Sequence, residues 1–187
     1  MVAPKSSRLA LLVTRDLAPG RAWGYLVEHL LSQGHVVVAS KQPLDVSRFQ
    51  IPEPPLAIFP RDITTDDYLK IAIEPGAREK LNRFINRSEY ASTHTILMSM
   101  LSRRDPSGTF RTIDREVVIR QLLLGLISQM LRANPTHLIF EETPHEVVDF
   151  AIFEIGRFMG TPSLFFQPSL VGPQLVARTA IDEIFPV

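Results

Sequence analysis

The chain has 187 residues, 45% of them hydrophobic and 21% charged, enough for one folded domain with a substantial core. Twenty basic and twenty acidic residues give a formal net charge of zero, which excludes a global electrostatic footprint for nucleic acid, and there is no cysteine, which excludes disulfides and thiol chemistry. No apolar run approaches the length of a spanning helix, and the run at Leu9 to Val13 is too short for a signal-peptide core, so the expectation is a soluble, cytoplasmic protein.

Arg8 to Val13 is a near-continuous apolar run, the pattern of a strand buried on both faces. Residues 14–20 read as a loop. Arg21 to Gln33 read as a helix with Trp23, Leu26, Val27, Leu30 and Leu31 on one side, closed by Gly34. A second strand is predicted at 35–39 and a third at 56–59. Between them, Pro43, Pro52, Pro54 and Pro55, with Pro60 just after, mark an extended and semi-rigid connection. This is the opening of a doubly wound sheet.

Residues 66–134 are different. They hold helical patterns at about 66–74, 76–87, 88–103 and 113–133, and no convincing strand. Asp114 is placed to cap the last of these, which is apolar on more than one face. Such a helix is either sandwiched inside the domain or also touches a partner. Arg103, Arg104, Arg111 and Arg115 form a basic cluster around a turn, read as a solvated turn ahead of an anion site.

Sheet order resumes at 137–141, continues through a helix from Val147 to Met159 that Gly160-Thr161-Pro162 stops, and ends in a strand at 162–166. That is a β-α-β unit with parallel strands. The predicted fold class is therefore α/β: a Rossmann-like, doubly wound parallel sheet of about five strands with helices on both faces. It forms a single domain over 1–187 with a helical insert at about 66–134. The chain stops at Val187 among apolar residues without a closing helix, the pattern expected of the amino-terminal half of a longer protein.

The densest chemistry is Glu141-Glu142-Thr143-Pro144-His145-Glu146, at the carboxyl end of a predicted strand, where ligands of open parallel sheets collect. Thr143 fits an N-cap, Pro144 the first helical position, and Glu146 completes a capping box. Helix initiation alone accounts for those three residues, but not for Glu141, Glu142 or His145. Beside the positive end of a helix dipole, His145 is expected neutral. Asp149, four residues on, could orient its ring; a surface histidine beside a solvated carboxylate fits equally well. Glu142-x-x-His145 has the spacing of di-iron bundles, but there is one copy and Pro144 splits it, so that reading fails. No zinc motif, Gly-x-Gly-x-x-Gly, Walker A loop or Gly-x-Ser-x-Gly elbow is present.

The run Ile139 to Glu146, the following Asp149-Phe150, the Gly160-Thr161-Pro162 turn and Gln167-Pro168-Ser169-Leu170 resemble the amino-terminal half of bacterial capsule or surface polysaccharide biosynthesis proteins. These are similar to glycosyltransferases built of two Rossmann-like domains, the B type. The resemblance is specific over about 135–182 and topological before that. It implies an acceptor-side domain, with a nucleotide-sugar donor held by a carboxy-terminal half outside this chain; that missing domain or a second copy of the chain is the expected protein partner. The chain itself needs no cofactor and would be inactive alone. The expected partner is a carbohydrate acceptor, and a peripheral place at the inner membrane fits the same implication. Glu142 and His145 are then the candidate catalytic residues, as general base at a sugar hydroxyl. Arg15, Asp16, Glu141, Thr143 and Gln167 are the candidate substrate-binding residues, gathered at the same sheet edge. The alternative is a non-catalytic binding or assembly domain that docks a partner through the apolar helix 113–133.

Overall fold

The computed structural model describes residues 8–14, 29, 35–40, 72–140, 142–168 and 175–179. In chain order they form β1 (Arg8–Thr14), β2 (His35–Ser40), α1 (Ala77–Ile85), α2 (Tyr90–Arg104), α3 (Thr112–Ala133), β3 (His137–Phe140), α4 (Val147–Met159), β4 (Ser163–Pro168) and β5 (Leu175–Arg178). The helix expected at 21–33, residue 29 apart, and the strand expected at 56–59 lie outside the described residues. So does most of the helix expected at 66–74, whose last residues, 72–74, are not helical.

The chain divides into two compact units. One comprises residues 1–61, 133–144 and 161–187, and its described part is the sheet. The other comprises residues 62–132 and 145–160 and holds the helices.

In the first unit the strands follow the order β2-β1-β3-β4-β5. β1 runs parallel to both β2 and β3, and β3 runs parallel to β4 with Leu138 opposite Ser163 and Phe140 opposite Phe165. Leu138, Ile139 and Phe140 are all buried; successive strand residues point to opposite faces, so β3 is covered on both. β5 pairs antiparallel with β4, Phe165 facing Arg178.

The expectation of a doubly wound, all-parallel sheet of about five strands is overturned. The described residues are mostly helical: helices of 9, 15, 22 and 13 residues outweigh strands of four to seven. The described sheet ends on an antiparallel strand, β5, rather than running parallel throughout. The described helices, moreover, gather into a compact unit with a core of their own. Apolar periodicity revealed the elements but not which of them share a core.

The helical unit is built from stripes of increasing width. Pro75-Gly76 opens it as a turn in which the Ala77 amide donates to the Glu74 carbonyl at 3.1 Å, with Gly76 at φ 81° where a side chain would be strained. α1 buries Ala77, Leu81 and Phe84. α2 buries Thr93, Leu97 and Leu101, one residue per turn. α3 is half-exposed over its first turns, with Arg120 and Gln121 still exposed, and buried nearly all round from Leu122 to Met130. α4 packs against α2 and buries ten consecutive residues, Val147 to Gly156, the carboxylates Asp149 and Glu154 among them. Asp114 stands in the first turn of α3 rather than at its cap: its carboxylate accepts the Arg111 amide at 3.0 Å, the returning half of a capping box. No helix among the described residues is long and apolar enough to cross a membrane.

Candidate functional site at the carboxyl end of β3

β3 ends at Phe140, and the chain leaves the sheet through Glu142 and Thr143, both partly exposed, and Pro144, which is buried. The β3–β4 register fixes what lies beside this exit. Phe140 stands opposite Phe165, the last pair of the β3–β4 ladder, and Gln167 lies two residues further along β4 towards its carboxyl end. Val13 of β1 is opposite Phe140 on the other side. The carboxyl ends of β1, β3 and β4 therefore share one edge of this unit, and Glu142, Thr143 and Gln167 belong to it. Arg15, Asp16 and Glu141 lie outside the described residues.

The helix start differs from the expected capping box. The N-cap of α4 is Glu146, in extended geometry at φ −102° and ψ 156°, and no side chain caps it. Helical bonding begins with the Phe150 amide donating to the Glu146 carbonyl at 2.9 Å. Thr143 is thus three residues too early to cap, and Glu146 is at the cap rather than three residues inside. The reason lies on α2: Arg104 Nη2 donates to Glu146 Oε2 at 2.6 Å, holding the carboxylate that the box would have used. Asp149 takes the third helical position instead. A buried carboxylate there lies against the positive end of the helix dipole.

His145 is exposed and precedes the helix, so the one-face relation expected between it and Asp149 does not arise from helical spacing. It belongs to the helical unit, whereas Glu142 and Thr143 belong to the sheet unit. Glu142 and Thr143 follow the end of β3, and Gln167 lies near the carboxyl end of β4. A partly exposed carboxylate such as that of Glu142 can accept a proton from a hydroxyl within hydrogen-bond reach.

Sequence reasoning missed Arg104 as the group that engages the motif, because a salt bridge across 42 positions leaves no local pattern. The signal available was the basic cluster itself. Two of its other members are also matched to carboxylates: Arg111 to Asp114 at 3.0 Å, and Arg115 to Asp105 at 2.9 Å. Among the described residues no three histidines and carboxylates gather as a metal site. Compared with protein-family models, with curated proteins and with solved structures, the chain matches none.

Proposed function

We propose that the chain is the acceptor-side part of a cytoplasmic glycosyltransferase of bacterial surface polysaccharide synthesis, with Glu142 as general base at an acceptor hydroxyl. The reading rests on the sequence resemblance over about 135–182. The observation that supports it structurally is the parallel pairing of β3 with β4, which puts the carboxyl ends of both strands, and with them the exit towards Glu142 and the position of Gln167, at one edge of the sheet unit. Gln167 and Thr143 supply hydrogen-bonding groups of the kind that orient sugar hydroxyls. His145, exposed and one residue before the cap, is the second candidate base. The nucleotide-sugar donor is held outside this chain.

The alternative of docking through residues 113–133 has less surface to work with than the sequence suggested. Ile113 and Val117 are exposed, but Ile119, Leu122, Leu123, Leu126 and Ile127 are fully buried.

The test is Glu142→Gln at the native locus of the producing cell, read by surface-polysaccharide output and by the melting temperature of the purified protein. Loss of a general base costs about 10²–10⁴ in rate, whereas a partly exposed loop residue contributes little to folding. The expected result is a folded variant with little product. Unchanged output would remove Glu142 from the chemistry.

A further inference from the structure

On α2 and α3, four polar side chains meet at one hollow of the helical unit. Tyr90 and His94 are one turn apart on α2, and Glu116 and Arg120 one turn apart on α3, so each pair shares a helix face. Together with Ile85 and Ala91 they line a cleft of about 190 Å³. Glu116 would ordinarily pair with Arg120 four residues on. Instead its Oε1 stands 2.8 Å from His94 Nε2 across the two helices. Among the described residues no carboxylate pairs with Arg120, whose guanidinium stands exposed at the cleft.

The Tyr90 ring lies 5.7 Å from the His94 ring, tilted by 46°, which sets one aromatic wall. Burial, with Glu116 nearby, raises the Tyr90 pKa above its ordinary value, although Arg120 opposes the shift. The phenol therefore stays protonated at neutral pH and can donate. The cleft thus offers two donors, a guanidinium and a phenol, beside an aromatic ring and two apolar side chains. Its carboxylate is already engaged by His94.

We propose that this cleft binds a small organic oxyanion, its carboxylate or phosphate head on Arg120 and Tyr90 and its apolar body against Ile85, Ala91 and the Tyr90 ring. A planar guanidinium recognises such heads through paired, charge-assisted hydrogen bonds. Size sets the limit. Drug-sized ligands occupy clefts of roughly 300–1,000 Å³, so this one takes a fragment and excludes a nucleotide sugar. The site lies in the helical unit, and it stands or falls independently of the role given to Glu142.

The experiment is a titration of the full chain with benzoate, phenyl phosphate and inorganic phosphate, followed by the NMR signals of the Tyr90 and His94 rings. Saturable shifts are expected with benzoate or phenyl phosphate, the stronger of the two identifying the head group. Arg120→Gln should weaken that binding at least tenfold and Tyr90→Phe by a smaller factor. Arg78→Gln, an exposed arginine on α1 outside the cleft, should leave it unchanged. Melting temperatures of Arg120→Gln and Arg78→Gln should match the wild type, since exposed charges contribute little to stability, and that of Tyr90→Phe should stay close to it because the packed ring is kept. Equal binding of inorganic phosphate and phenyl phosphate would overturn the apolar part of the proposal. No saturable shift with any probe, or equal loss in Arg78→Gln, would overturn the site.

Discussion

Arg87 Nη2 donates to Glu154 Oε2 at 2.6 Å, joining two residues 67 positions apart inside the helical unit. Neither side chain is more than 14% exposed. The same carboxylate oxygen accepts Thr93 Oγ1 at 2.8 Å and Arg157 Nη2 at 3.1 Å, and the Arg87 guanidinium lies 4.2 Å over the Phe84 ring. α4 brings Glu154 and Arg157, α2 brings Thr93, and Arg87 comes from the turn between α1 and α2.

Removing one member of a buried pair strands the other charge, which costs about 3–5 kcal/mol, while apolar replacement of both is often close to neutral. Arg87→Met is therefore expected to lose about 3 kcal/mol, near the low end because Arg157 and Thr93 still reach Glu154. The double variant Arg87→Met/Glu154→Leu should recover most of it. Urea unfolding of the three proteins decides. Equal losses in the single and double variants would mean that packing around Phe84, not a stranded carboxylate, sets the cost.

Asp105 ties down the turn between α2 and α3. Its carboxylate accepts the Phe110 amide at 2.9 Å, Arg115 Nη2 at 2.9 Å and the Thr109 amide at 3.0 Å. The Phe110 amide first, then Arg115, lower its pKa to about 2 from an ordinary 3.8. A carboxylate whose folded pKa is depressed stabilises the protein above its unfolded pKa and loses that contribution as pH falls through the folded value. Wild type should thus lead Asp105→Asn in melting temperature by a constant margin above about pH 4. The margin should shrink between about pH 4 and pH 2. A margin that persists undiminished at pH 2 would show that charge is not what Asp105 contributes.

Gly160 ends α4 at φ 74°, with its amide donating to the Arg157 carbonyl at 3.2 Å. A Cβ there would meet nothing within 4 Å, so only backbone strain opposes a side chain. Gly160→Ala should cost about 1 kcal/mol and Gly160→Asn less, because asparagine tolerates the left-handed region. Chemical denaturation measures both; a neutral alanine would imply that the helix end relaxes out of that conformation.

The first turn and the buried middle of α3 should respond oppositely to truncation. Leu126 is 1% exposed and Ile113 60%. Leu126→Ala is expected to cost about 2–5 kcal/mol by opening a cavity, and Ile113→Ala to stay within about 0.5 kcal/mol. Similar losses at both positions would place the first turns of α3 against a surface as well.

The sequence by itself determined much of the local structure. Apolar runs marked β1, β2, β3 and β4, and the long helical patterns placed α1, α2, α3 and α4 to within a few residues, since burial periodicity is written along the chain. Gly160 at the end of α4 was legible for the same reason: only a glycine takes that conformation cheaply. The edge bearing Glu142 was legible as a strand exit. What the sequence did not contain was the partner of each charged group. Thr143 and Glu146 spelled a capping box, yet Arg104, 42 residues away, claims the Glu146 carboxylate and moves the cap to Glu146 itself. His94 and Glu116 lie on different helices, so neither their 2.8 Å contact nor the cleft beside Arg120 has a spacing to read. The antiparallel turn of β5 and the gathering of the helices into a unit of their own are likewise decisions of tertiary packing. Periodicity says which face of a helix must be buried; only the folded chain says against what.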